Sequence, residues 1–222
     1  MAPKHDAMEA PEPKPRVERT PESLFRDVFF PLYPEDARAD LGLARSTDAN
    51  PANNPQILAH LEDAARVFVE MAPIVLGIDE GVLALDFSDA SVHRLSVAMT
   101  AAARERLLAQ GAGSDNALFN FVVHGAAYVG ACIVRSHGGA WAVRRPLWES
   151  VVRLRSRAGE ADLPVFHWWL KSWADPPASG GDAPAAPHAT LADRYRTHVE
   201  VPCARLEDLP VIAPSTRALP KL

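Results

Sequence analysis

SDNALFNFVVHGAAYVGACIVRSHGGAWAVRR, residues 114–145, holds a helix, its stop and the start of a strand in one run. Leu118, Phe121, Val122, Gly125, Val129, Cys132 and Ile133 keep the 3.6-residue period, which predicts a helix from about Ser114 to His137. Its middle is small: Gly125, Ala126, Ala127, Gly130 and Ala131. A glycine inside a helix costs roughly 1 kcal/mol relative to alanine, and close approach of another backbone is the expected return. This helix therefore reads as the central, most buried one. Gly138-Gly139 supplies a left-handed stop. Beyond it Trp141 and Val143 alternate with Ala142 and Arg144. After Pro146, Trp148, Ser150, Val152 and Leu154 alternate with Glu149, Val151, Arg153 and Arg155. Two strands joined near Pro146 fit this pattern. A buried helix feeding a strand pair makes the fold class α+β.

Toward the N-terminus, Asn54-Pro55 is a cap followed by a first-turn proline, and Ile57, Leu58, Leu61, Ala64, Ala65, Phe68 and Met71 follow with helical spacing until Pro73. Val82 to Phe87 reads as a short strand. Ser88 caps a further helix with Val92, Leu95, Met99, Ala103 and Leu107 on one face, broken by Gly111 and Gly113. Toward the C-terminus, Ala158-Gly159 reads as a turn. Asp162-Leu163-Pro164 caps a short last helix carrying Phe166, Trp169, Leu170 and Trp173. The core, 54–174, is thus expected to hold three main helices and a short fourth on a small, mostly antiparallel sheet.

Three other stretches surround it. Residues 1–19, with four prolines among charges, read as a disordered arm. In 20–53, Thr20-Pro21-Glu22 opens a short helix that docks through Phe25, Phe29 and Phe30, and a polar loop follows. In 175–222 a Pro-rich linker precedes a tail with one amphipathic turn, Leu191 to Tyr195, and is otherwise extended.

Of the 222 residues, 48% are hydrophobic, enough for one core domain with tails. The formal charge of −5 argues against DNA or RNA as the main partner. Two cysteines, Cys132 and Cys203, are too few for a disulfide scaffold, and a reducing, cytoplasmic setting is the expectation. The N-terminus has no apolar run of the secretory kind, and the apolar stretches read as too interrupted for a membrane span.

No zinc spacing, nucleophile elbow or phosphate loop is present, so no catalytic residue, metal or cofactor is expected. His137 ends the central helix, where an imidazolium complements the dipole and where a general acid or base could also sit. Asp79, Glu80, Asp86 and Asp89 cluster around the expected first strand, as an acid pair or as caps and a solvated edge. Between residues 135 and 157 stand Arg135, Arg144, Arg145, Arg153, Arg155 and Arg157 against Glu149 alone. Such a strip can bind carboxylate or phosphate bidentately, or can be a solvated sheet face that discourages edge pairing. Trp148 and Trp168, the latter off its helix's apolar stripe, are candidate contact residues together with Phe29 and Phe30.

Two stretches carry a resemblance. Leu85-Asp86-Phe87-Ser88-Asp89-Ala90-Ser91-Val92 leads into a helix. Ala127-Tyr128-Val129-Gly130-Ala131 is followed by Arg135-Ser136-His137-Gly138-Gly139-Ala140-Trp141. Together they resemble uncharacterised bacterial domain families with an aromatic-x-Gly helix and a Gly-Gly-x-Trp turn. The resemblance spans about residues 55–173, and some of those families are toxin-immunity or accessory proteins. It implies a non-enzymatic protein whose partner is another protein. From the residues themselves, binding is expected among Arg135, His137, Arg144, Arg153, Trp148, Trp168, Phe29 and Phe30. One alternative is a small enzyme or ligand-binding domain for an anionic substrate, using His137 and nearby arginines. Another is a structural module that self-associates as a homo-oligomer.

Overall fold

The structure is a computed structural model, and it describes residues 19–111, 117–174 and 190–204. The expected arm up to residue 18, the linker 175–189 and the tail beyond 204 lie outside the described residues, as do residues 114–116 of the expected central helix. The fold is mixed helix and sheet. Helices α1 (Pro21–Leu24), α2 (Glu35–Ala39), α3 (Leu41–Ser46), α4 (Pro55–Leu76), α5 (Glu80–Leu83), α6 (Asp89–Ala98), α7 (Ala101–Gly111) and α8 (Ala117–His137) precede strands β1 (Ala140–Ala142), β2 (Val151–Ser156) and β3 (Gly159–Leu163). Then come α9 (Val165–Lys171), α10 (Leu191–Tyr195) and α11 (Val201–Cys203). The sheet is antiparallel in the order β1-β2-β3, with Trp141 opposite Val152 and Arg153 opposite Asp162.

α8 is the axis of the molecule. Ala126 to Val129 and Ala131 to Ile133 are buried on every side, with α4, α9 and the sheet around them. Its small residues have a different function from the expected backbone approach. A Cβ on Gly125 would stand 2.5 Å from the Trp169 ring, and one on Gly130 would stand 2.1 Å from the Trp141 ring. The glycines admit two indoles, one from α9 and one from β1. Leu118–His137 is also long and apolar enough to cross a membrane by length and composition, which corrects the view of interrupted apolar stretches. In this fold two thirds of it is buried against protein.

Val82 to Phe87 is not a strand. Asp79 caps α5 by accepting from the Gly81 and Val82 amides at 2.9 and 3.3 Å, and Arg94 donates to the Leu83 and Ala84 carbonyls. Side chains thus take the backbone groups that a sheet partner would need. Ala84 and Phe87 adopt positive φ, which breaks any extended run. The helix expected from Ser88 to Leu107 is broken after Ala98, and Thr100 restarts it by accepting the Ala103 amide at 3.2 Å. Pro73 lies inside the last turn of α4, and Gly77, at φ +67°, is the stop. The polar loop after residue 39 contains α3, capped by Asp40 on the Leu43 amide at 2.9 Å. Leu147–Glu149 is a 3-10 turn, so the second strand starts only at Val151. The strand β3 has no counterpart in the sequence pattern.

Both flanking segments belong to the core. Leu24, Phe29, Tyr33 and Ala37 are buried, Phe29 against Phe119 at a ring separation of 5.6 Å. The tail beyond Tyr195 is helical rather than extended through Cys203, and Leu191, Tyr195 and Val199 are buried.

Candidate functional site

His137 meets a carboxylate at the start of α6. Its Nε2 lies 2.9 and 3.0 Å from the two oxygens of Asp89, and the Tyr195 hydroxyl donates to Asp89 Oδ1 at 2.7 Å. Burial pushes the Asp89 carboxyl up, but the bonds from His137 and Tyr195 outweigh it, and the group sits below the usual aspartate value. Burial, and then the bond to Asp89, drives Tyr195 far above its ordinary value. Next to this centre Ser91 Oγ and the Tyr128 hydroxyl are 2.5 Å apart, and burial pushes the Cys132 thiol up to about 12. The thiol is therefore protonated near neutrality and is no nucleophile. The His137 side chain is only 15% exposed. Arg135, the expected companion of His137, instead pairs with Glu62 and lies over the Phe87 ring at 3.5 Å.

A second centre, at Glu149, was visible in the sequence only as the lone acid among arginines. Its carboxylate is buried and carries three donors: the Tyr33 hydroxyl, Arg45 Nε at 3.1 Å to both oxygens, and His167 Nε2 at 2.9 Å. Burial raises its pKa, and the bonds from His167, Arg45 and Tyr33 reverse that and hold it below the ordinary glutamate value. Burial, then Glu149 itself, raises Tyr33 well above the usual range. The two centres share a plan. In each, a core histidine and a tyrosine from a flanking segment converge on one carboxylate. Their geometry fastens the N-terminal segment and α10 to the core.

The arginine strip disperses. Arg144 is 6% exposed, 3.7 Å from Asp162, and its Nε has no hydrogen-bond partner. Arg153 bonds Asp162 at 2.9 Å, and Arg145 lies 3.7 Å from Asp36. Four of the six arginines thus meet acids on three different elements: Arg144 and Arg153 those of β3, Arg145 that of α2 and Arg135 that of α4. The expected exposure of Trp168 is corrected: it is 6% exposed and stacks on His198. Phe29 is buried too, so neither residue presents a free surface. Phe30 and Trp148 are half-buried, Trp148 wedged between Tyr33 and Phe119.

The larger opening lies elsewhere. The end of α4 with α5, α6 and α7 forms a groove of about 670 Å³, walled by Leu76, Ile78, Val82, Val97, Ala98 and Ala103. Val82 and Val97 are 68% and 79% exposed. The charged or titratable residues in its wall are His93, Arg94 and Arg106, and among the described residues no carboxylate lines it. Arg94 and Arg106 are anchored by backbone carbonyls at the ends of α5 and α4, Arg106 on Val75 and Leu76 at 2.9 Å each. Asp86, 3.3 Å from Arg94, stands outside the lining. Sequence reasoning missed this surface because it took Val82 as the start of a strand and merged α6 with α7. Among the described residues no cluster of three potential metal ligands occurs. No protein-family model, curated protein or solved structure matches the chain.

Proposed function

We propose that this chain is a non-enzymatic protein-binding module, and that its docking surface is the groove between α4, α5, α6 and α7. The observation that carries this reading is an open apolar wall with exposed Val82 and Val97 and cationic groups fixed at its margin. Solvent-exposed apolar surface of that kind is costly to keep and is typical of interaction sites. With two arginines and no carboxylate among the described residues of the lining, the complementary partner is an apolar segment that carries carboxylates. An immunity or accessory protein, as the sequence resemblance implies, is the specific form of this reading. The titratable centres at Asp89 and Glu149 support a binding role, since their oxygens are engaged by core and flanking donors.

The test is fluorescence anisotropy with two labelled synthetic peptides of the same apolar pattern, one flanked by glutamates and one by lysines. The glutamate peptide is expected to bind, and Val97→Asp to weaken it at least tenfold, about 1.4 kcal/mol. Equal binding of the lysine peptide, or an unchanged affinity in Val97→Asp, refutes the reading.

A further inference from the structure

The C-terminal segment is fastened to α6, which supplies one wall of the groove. α10 lies along α6: the Ala192 amide donates to Ser96 Oγ at 3.1 Å, and Tyr195 reaches Asp89. One turn later Glu200 meets His93 Nε2 at 2.6 Å, and His93 is itself a residue of the groove wall. The described chain ends four residues beyond, at Ala204.

The sequence continues with Arg205 and then Leu206-Glu207-Asp208-Leu209-Pro210-Val211-Ile212. Four branched apolar side chains and two adjacent carboxylates match a groove that is apolar and carries Arg94 and Arg106, with no acid among the described residues of its lining. The other stretches outside the described residues lack this combination. Residues 175–189 contain no leucine, isoleucine, valine, phenylalanine, tyrosine or tryptophan, and residues 1–18 scatter Met1, Met8 and Val17 among three lysines and arginines. The distances also fit. From His93 to Ala98 the α6 wall runs about 8 Å at 1.5 Å per residue. Ile212 lies eight residues past Ala204, a reach of up to about 27 Å.

We propose that residues 206–212 of the chain's own C-terminal segment occupy this groove and compete there with the partner, an inference that rests on the groove being a docking surface. Tethering makes that competition strong at modest intrinsic affinity, because a short link holds the segment at millimolar effective concentration. The partner then gains access by displacing a covalently attached mimic of itself.

The test uses the full chain. With p-benzoylphenylalanine in place of Val97, irradiation followed by mass spectrometry is expected to map crosslinks to residues 206–212 within one molecule. Leu209→Asp/Ile212→Asp is expected to abolish them and to bind the glutamate peptide about tenfold more tightly than wild type. Crosslinks confined to other parts of the chain, or joining two copies, overturn the proposal. If wild type and the double variant bind the peptide equally, the competition falls while the groove stands as a docking surface. If residues 206–212 crosslink but neither form binds any peptide, the external partner falls and the intramolecular docking stands.

Discussion

Glu149 holds Tyr33, Arg45 and His167 on two oxygens, so its loss strands two of the N-terminal segment's anchors at once. Removing one member of a buried ionic cluster costs about 3–5 kcal/mol because the remaining groups lose their partner. Glu149→Ala is therefore expected to lower unfolding free energy by about 3 kcal/mol, and Tyr33→Phe by about 1 kcal/mol. Urea denaturation measures both, and a Glu149→Ala midpoint equal to wild type removes the anchoring account. The same centres predict a pH profile. Asp89 and Glu149 have folded values below their ordinary 3.8 and 4.5, so their contribution is full above about those values and is lost as pH falls through the lowered ones. Tyr33 and Tyr195 are raised above their ordinary 10.0, so their neutral forms support the fold up to that pH and the support is lost above it. Urea midpoints followed from about pH 3 to 11 should fall on the acid side of about 4.5 and on the alkaline side of about 9, where Cys132, ordinarily at 9.0, begins to add to the tyrosines. Tyr33→Phe/Tyr195→Phe should diminish the alkaline limb, leaving the share of Cys132 and Tyr128, which burial also raises, and an undiminished limb in that variant contradicts the assignment. His137 was legible as a candidate from its place at a helix end. Asp89 stood in an acid cluster that reads as an acid pair or as caps and a solvated edge. Glu149 was illegible as a centre, because its tyrosine lies 116 residues away and no local pattern joins them.

At the scale of elements, α8 was readable because its apolar period, its stop at Gly138-Gly139 and its small middle all agree. The group that fills the space above its glycines was not, since an indole and a backbone leave the same mark on a sequence. In the structure Gly130 and Gly138 respond to substitution for opposite reasons. Gly130→Ala drives a methyl into the Trp141 ring and should cost about 1–3 kcal/mol by overpacking. Gly138→Ala meets no neighbour within 4 Å and is penalised only by its φ of +70°, about 1 kcal/mol. Thermal unfolding that ranks Gly138→Ala above Gly130→Ala in damage contradicts the packing of Trp141 on α8. β3 escaped the sequence reading because Gly159-Glu160-Ala161-Asp162 has low strand propensity and one inward apolar residue, Leu163. Its pairing depends on β2, on which Arg153 bonds Asp162 across the ladder.

At the scale of the whole molecule, the flanking segments complete one core rather than decorate it, and the groove is the apolar surface that they leave open. Val97 is largely exposed, so Val97→Asp should change the thermal midpoint by less than about 2 °C while it weakens peptide binding at least tenfold. A large fall in stability would instead mean that Val97 supports the core. By itself the sequence determined the α+β class, the central helix, the caps at Thr20, Asn54 and Ser88, and the docking of the N-terminal aromatics. These follow from short-range periodicity and from backbone groups satisfied within a turn or two. Only the tertiary structure decided that four arginines of the strip meet acids of α2, α4 and β3, that Trp168 is covered, and that an exposed apolar face lies between α5 and α7. Those outcomes depend on which side chains meet across dozens of residues, and such meetings are fixed by packing volume and by the pairing of buried charge, neither of which has a local signature in the chain.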